Sequence, residues 1–389
     1  MKTLRSKLES ILKRIYIESD TGTSSSSLMI GDSGVALFRI LYLKHFENSL
    51  YDDKTISTIQ ALAESLVSSN DNSFCYGNSG TKWFFSYLYQ LEIIEECDYN
   101  NICLGDELIV ESALGLLETK NYEFLNGAVG LAQYLLFSNY KLNDSFFFKV
   151  FEKLKMFIIE DSIANSFNLK SQNVDIYRVN LGLAHGVIGV LKMCIQCTQA
   201  GICEEDSKLV AKKIIDFILK NTHQKGAVSI FPSFCSNDSK IEDSRLGWCY
   251  GDLIIGYILY QAAEIFDDYI LLQHANNVLI ETTYRRLPKE TYVRDASICH
   301  GSIGIAHIYN KIWRLTNNLI YRNAAEFWID YSLEKENYLQ GENCFMKFNA
   351  YSNRYEKNLS LLEGSAGIGL ALISFITEDY SWDHCLMLN

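Results

Sequence analysis

The sequence predicts an all-α protein, an α/α toroid of about seven inner and seven outer helices. Three observations predict it: a glycine motif opens an apolar run seven times, amphipathic stretches separate the copies, and proline is nearly absent. The copies start at Gly31 (GDSGVALFRILYL), Gly77 (GNSGTKWFFSYLYQL), Gly127 (GAVGLAQYLL), Gly186 (GVIGVLKM), Gly251 (GDLIIGYILY), Gly301 (GSIGIAHIY) and Gly364 (GSAGIGLALISF), 46 to 65 residues apart. Self-similarity at a quasi-fixed period marks a repeat architecture. A helix that is apolar on every side must be buried on every side. Seven such helices, each paired with a polar-faced one, predict an inner ring wrapped by an outer ring. A right-handed solenoid uses the same units but does not need every second helix buried.

The chain opens on MKTLRSKLESILKRIYIE, whose apolar positions fall at helical spacing. Stretches 55–69, 106–118 and 206–221 carry the alternating faces expected of outer helices. The two prolines, Pro232 and Pro288, leave long spans free of the commonest helix breaker. Glycine at each inner-helix start lets backbones approach where helix ends crowd at the mouth of a ring. The fifth copy departs from GxxG, with Ile254 at the second glycine position and Gly256 beyond it. No segment clearly encodes an inserted domain, so residues 1–389 read as a single toroidal domain.

Composition excludes several classes. A net charge of −12 argues against nucleic acid, whose binding rests on Lys and Arg neutralising phosphates. It argues more weakly against docking on anionic lipid through charge alone. No apolar h-region follows the N-terminal charges, and no uncharged apolar run reaches the ~18–20 residues of a membrane span. The eleven cysteines show no framework spacing, which reads as reduced thiols in a cytoplasmic protein.

Chemistry concentrates just before the glycines. The fifth repeat opens RLGWCYGD, which places Arg245, Trp248, Cys249 and Tyr250 ahead of Gly251; the sixth opens ICHGSIG, which places Cys299 and His300 ahead of Gly301. Matching repeat positions predict that Cys249, Cys299 and His300 meet at one mouth. Two thiolates and an imidazole form a soft set suited to zinc, and three protein ligands leave a fourth position open, as in catalytic sites. A zinc with two thiolates suits thiol activation better than hydrolysis, and neither HExxH nor HxE…PCxxC occurs. His185, just before Gly186, is placed to donate a proton when a thiolate adds to an unsaturated carbonyl compound. Cys75 stands before Tyr76 and Gly77 as Cys249 stands before Tyr250 and Gly251, which makes it a further candidate for the mouth. Cys194 and Cys197 fall inside an inner helix and read as core. Cys344 and Cys385 carry no assignment.

WCYG at 248–251, CHG at 299–301, LAHGVIG at 183–189 and the seven glycine motifs resemble the lanthionine synthetase C-like family. The resemblance runs from Gly31 to the motif near Gly364, and WCYG followed by CHG is its specific part. It implies a toroid with zinc at one end. There a precursor-peptide cysteine, bound as thiolate, adds to dehydroalanine or dehydrobutyrine, and protonation of the enolate leaves a thioether ring. By position, Cys249, Cys299 and His300 match the zinc ligands. His185 matches the histidine acid or enolate stabiliser, Arg245 an active-site arginine, and Tyr250 an adjacent tyrosine. NYEFLNG at 121–127 matches a segment that usually carries an aspartate four residues before the glycine; here it is Glu123, one methylene longer. Asn126 replaces a common acidic residue of that segment.

The resemblance therefore implies a stand-alone, zinc-dependent lanthipeptide cyclase of the class I type. With the first repeat beginning close to Met1, no dehydratase domain is expected ahead of it. The expected partners are the dehydrated precursor peptide, a separate dehydratase, and an exporter that would hold the protein peripherally at a membrane. Two alternatives remain open on sequence. One is an enzyme adding glutathione or another small thiol to dehydrated residues. The other is a peptide-binding scaffold whose structural zinc is closed by Cys75 or Cys344.

Overall fold

The fold is taken from a computed structural model, which describes residues 2–138, 144–160, 162–167, 178–223, 226–236, 243–334 and 345–389. Along the chain run α1 (Lys2–Glu18), α2 (Asp32–Tyr42), α3 (Asp53–Ser68), α4 (Asn78–Gln90), α5 (Glu96–Cys103), α6 (Asp106–Glu118), α7 (Ala128–Phe137), α8 (Asp144–Lys155), α9 (Ile163–Ser166), α10 (Val187–Gln199), α11 (Glu204–Lys220), α12 (Asp252–Ile265), α13 (Tyr269–Thr282), α14 (Pro288–Thr291), α15 (Ser302–Thr316), α16 (Leu319–Glu334) and α17 (Ser365–Thr377). Each of the seven repeat glycines is the N-cap of an apolar helix: α2, α4, α7, α10, α12, α15 or α17. The three predicted amphipathic stretches are α3, α6 and α11.

The chain divides into two compact units, Met1–Gly105 with Val293–Asn389, and Asp106–Tyr292. In the first, α15, α17, α2 and α4 touch in succession and are backed by α16, α1, α3 and α5. In the second, α7, α10 and α12 touch in succession and are backed by α6, α11 and α13. Burial follows the apolar pattern. Every residue of α10 from Val187 to Cys197 is buried, whereas α3 buries only Thr55 and Leu62. A cation inside such a layer needs partners. Arg39 of α2 finds them in Asp52, the N-cap of α3, at 2.6 Å, in Asp20 at 2.5 Å and in Ser19 at 2.8 Å.

A repeated lead-in turn precedes the inner helices. In five repeats the N–H of the first helical residue donates to the carbonyl seven residues back. These bonds are Asp32 to Ser25 and Asn78 to Asp71 at 2.7 Å, Ala128 to Asn121 and Ser302 to Asp295 at 3.0 Å, and Ser365 to Asn358 at 2.9 Å. They satisfy an N–H group that a helix start leaves without an intrahelical partner. A Cβ on the N-cap glycine would lie 2.4 Å from Ser25 O at Gly31, 2.2 Å from Asp71 O at Gly77 and 2.4 Å from Asn180 O at Gly186. At the second glycine it would lie 2.3 Å from Leu28 O for Gly34 and 1.8 Å from Leu361 O for Gly367. The close approach that demands glycine is thus made by the chain's own lead-in turn.

Neighbouring lead-in turns are joined by backbone bonds two or three residues before the glycines. Leu125 N donates to Ala184 O at 3.3 Å and Leu183 N to Cys249 O at 3.1 Å in the second unit. In the first unit Cys299 N donates to Leu362 O at 3.0 Å and Leu362 N to Met29 O at 2.9 Å, so the seventh repeat is bonded to the first. The all-α expectation omits two small antiparallel ribbons. β1 (Arg178–Asn180) pairs with β2 (Phe234–Ser236), and β3 (Met346–Asn349) with β4 (Arg354–Lys357). Among the described residues no helix is long and apolar enough to cross a membrane.

Candidate metal and acid–base site

The lead-in turns of the second unit carry most of the predicted residues. Glu123 stands four residues before Gly127, and His185 one before Gly186. Arg245, Cys249 and Tyr250 stand six, two and one before Gly251. The carboxylate of Glu123 accepts from the Asn126 backbone N–H through one oxygen and is paired with His185 Nδ1 through the other. That hydrogen bond raises the His185 pKa; partial burial opposes the shift, and the charges of Glu123 and Cys249 reinforce it. The pair was not foreseen. What the added methylene of Glu123 keeps is an acidic group in reach of the imidazole.

Cys249 is buried and flanked by fixed groups. Its carbonyl accepts from Leu183 N at 3.1 Å, and a Cβ on Gly182 would lie 2.4 Å from that oxygen. Trp248, wholly buried, meets Phe124 edge to face at 6.2 Å. Tyr250 is half-buried and held on several sides. The Asn180 amide donates to its hydroxyl at 2.9 Å, Gly182 lies against its ring, and the Phe234 ring of β2 sits 5.9 Å away. Gly251 itself has φ +96, a region that L side chains rarely adopt.

Arg245 occupies the position that holds a turn-capping Ser, Asp or Asn in the other six repeats. Among the described residues its half-buried guanidinium has no polar or ionic partner. The start of that loop is anchored elsewhere. Arg285 donates to Ser244 O at 2.5 Å and pairs at 2.8 Å with Asp252, which also accepts from Ile230 N and Phe231 N.

In the first unit Cys299 and His300 are half-buried just before Gly301. Asp295, six before that glycine, accepts from Ser297 N at 3.0 Å and from Phe348 N of β3 at 3.0 Å, which docks the β3–β4 hairpin on the turn. Cys299 and His300 of the first unit and Cys249 of the second are all of metal-ligating type, each offering one ligand atom. Two thiols and an imidazole are a soft donor set, the chemistry that zinc prefers. Cys75 is buried at the corresponding position of the second repeat. Cys194 and Cys197 are wholly buried in α10, and burial pushes both thiols far up, as fits core. Cys385 is buried in the same way near the C-terminus, and Cys344 lies outside the described residues.

Turns that present thiols, an imidazole and a carboxylate–imidazole pair at the starts of buried helices define a class that the comparisons identify. The chain belongs to the lanthionine synthetase C-like family, whose model matches residues 23–387. The nisin biosynthesis protein NisC of Lactococcus lactis subsp. lactis is 26% identical over 296 residues, covering 69% of this chain and 64% of that protein. The match thus spans a little under two thirds of that relative's length. A solved structure of a nisin cyclase superposes with a TM-score of 0.78 at 20% identity, over 100% of this chain and 98% of that one. The fold is the α/α toroid that the glycine repeat predicts.

Proposed function

We propose that the chain is a zinc-dependent lanthipeptide cyclase that acts as a single domain over residues 1–389. The observation that carries this reading is that two soft thiols, Cys249 and Cys299, and the His300 imidazole stand in the lead-in turns just before inner-helix glycines in a chain of this family. Zinc held by these three would stabilise a precursor-peptide cysteine as its thiolate at the open fourth position. The substrate sulfur then adds to the β-carbon of a dehydroalanine or dehydrobutyrine. A C–S bond forms, the π electrons of the double bond move into the carbonyl as an enolate, and the α-carbon takes up a proton. His185, held protonated by Glu123, supplies that proton. Arg245 and Tyr250 stabilise the negative charge that develops on the carbonyl oxygen.

The substrate is a precursor peptide already dehydrated at Ser or Thr by a separate dehydratase. The protein works in the cytoplasm and meets the membrane only through an exporter. Purified protein incubated with dehydrated peptide should leave its mass unchanged while removing thiols that a maleimide would label. Cys249→Ala should lose zinc and ring formation together. Zinc loss with undiminished ring formation would sink the reading, and a mass gain with glutathione present would replace the peptide thiol with a small one.

A further inference from the structure

Within the first unit, the inner helix α15 turns polar side chains toward the 3-10 turn Ser381–Leu386. Asp383 of that turn is wholly buried and takes two partners from α15, His307 Nε2 at 2.9 Å and Lys311 Nζ at 2.7 Å. Between those two partners, Asn310 Nδ2 donates to the Tyr380 hydroxyl at 2.6 Å. The three bonds pin the turn to the helix that begins just after His300.

Protonation in this cluster follows from its charges. Burial works against the Asp383 carboxylate, but the Lys311 charge and the His307 hydrogen bond outweigh it, and the pKa falls. Asp383 is thus an ionised acceptor, so the proton it shares with His307 belongs to Nε2. Burial lowers the His307 pKa in turn and keeps the imidazole neutral. Its Nδ1 then carries a lone pair and no proton.

Among the described residues, two buried atoms of the cluster have no hydrogen-bond partner, His307 Nδ1 and Asn310 Oδ1. Both are acceptors, on side chains that are 3% and 2% exposed. A buried acceptor left without a donor costs its full desolvation. Three residues apart on one helix, the two share a face. Both line one cavity of about 10 Å³, whose remaining wall is apolar and includes Ile303, Ile329, Leu372 and Phe375. Such a volume holds one water and nothing larger. Two acceptors ask for two donated protons, which one water brings. A cation would instead add charge to a cluster that Asp383 and Lys311 already balance.

We propose that this cavity is a binding site for one ordered water, which donates one proton to His307 Nδ1 and the other to Asn310 Oδ1. The water completes the pin: it satisfies both acceptors and holds His307 in the tautomer that donates to Asp383.

Two measurements on the full chain test it. A crystal structure at a resolution that reveals ordered water should show a single peak in the cavity, about 2.7–3.2 Å from both atoms. Nitrogen NMR of histidine-labelled protein should show His307 neutral and protonated at Nε2. Its Nδ1 resonance should be shifted from that of a free acceptor toward a hydrogen-bonded one. An empty cavity, a water bonded to only one of the two atoms, or a proton on Nδ1 would each overturn the proposal.

Discussion

An imidazole whose Nδ1 faces a carboxylate holds its proton to higher pH than a free one, because the charged form gains a hydrogen bond and an opposite charge. His185 is in that position, with the Glu123 hydrogen bond the largest cause of its raised pKa. The sign then follows for the proposed reaction. A proton donor works in its cationic form, so the rate is present below the raised pKa and is lost as pH rises through it. Glu123→Gln removes the charge that raises the pKa, and the alkaline limb of the rate profile should move down toward the ~6.5 of a free imidazole. An unmoved limb would assign that titration to another group. His185→Ala should lose about 10²–10⁴ in rate, the usual contribution of general acid–base catalysis, with zinc content unchanged.

At the scale of elements, glycine means different things at different places, and substitution should separate them. Gly251 has φ +96 and an added Cβ would lie 1.7 Å from Arg245 O, so Gly251→Ala cannot be absorbed without moving the loop that presents Cys249. Gly115, inside the amphipathic α6, has nothing within 4 Å of an added Cβ. Gly115→Ala should therefore raise stability by about 0.5–1 kcal/mol, the helical preference for alanine. Denaturant midpoints would check both, and a destabilised Gly115→Ala would show that α6 is held by something other than its own propensity.

The same contrast explains what was legible in the sequence. Buried helices announce themselves as apolar runs, and glycine spacing marked every start and every predicted site residue. The capping residues six before the glycines stood in the sequence at fixed offset, and that signal would have led to Asn180. The Glu123–His185 pair joins residues 62 apart, and no spacing rule links them. The ribbons escaped because strands of three and four residues are too short to display an alternation.

For the whole molecule, the alternative to a toroid was an open solenoid, in which each repeat touches only its neighbours and the ends need caps. Here the Leu362 N–H of the seventh repeat bonds Met29 O of the first, and α17 packs on both α2 and α1. Backbone N–H and carbonyl groups make the closure, and every residue carries them, so the sequence does not advertise it. A large core of buried helices also fixes what a metal contributes to stability. Zinc fingers unfold without zinc because they have little other core. A chain of this size buries roughly three quarters of its unfolded surface without help. Metal bound only to the folded state adds about RT ln(1 + [Zn]/Kd), near 4 kcal/mol at a thousandfold excess over Kd. Spread over so large a cooperative unit, that gain should appear as a shift of a few degrees in Tm. Chelation should therefore lower Tm modestly, leave the far-UV helical signal at 25 °C intact, and abolish ring formation until zinc is returned. Loss of the helical signal on chelation would instead make the metal a folding element, with Cys249, Cys299 and His300 serving the fold before any chemistry.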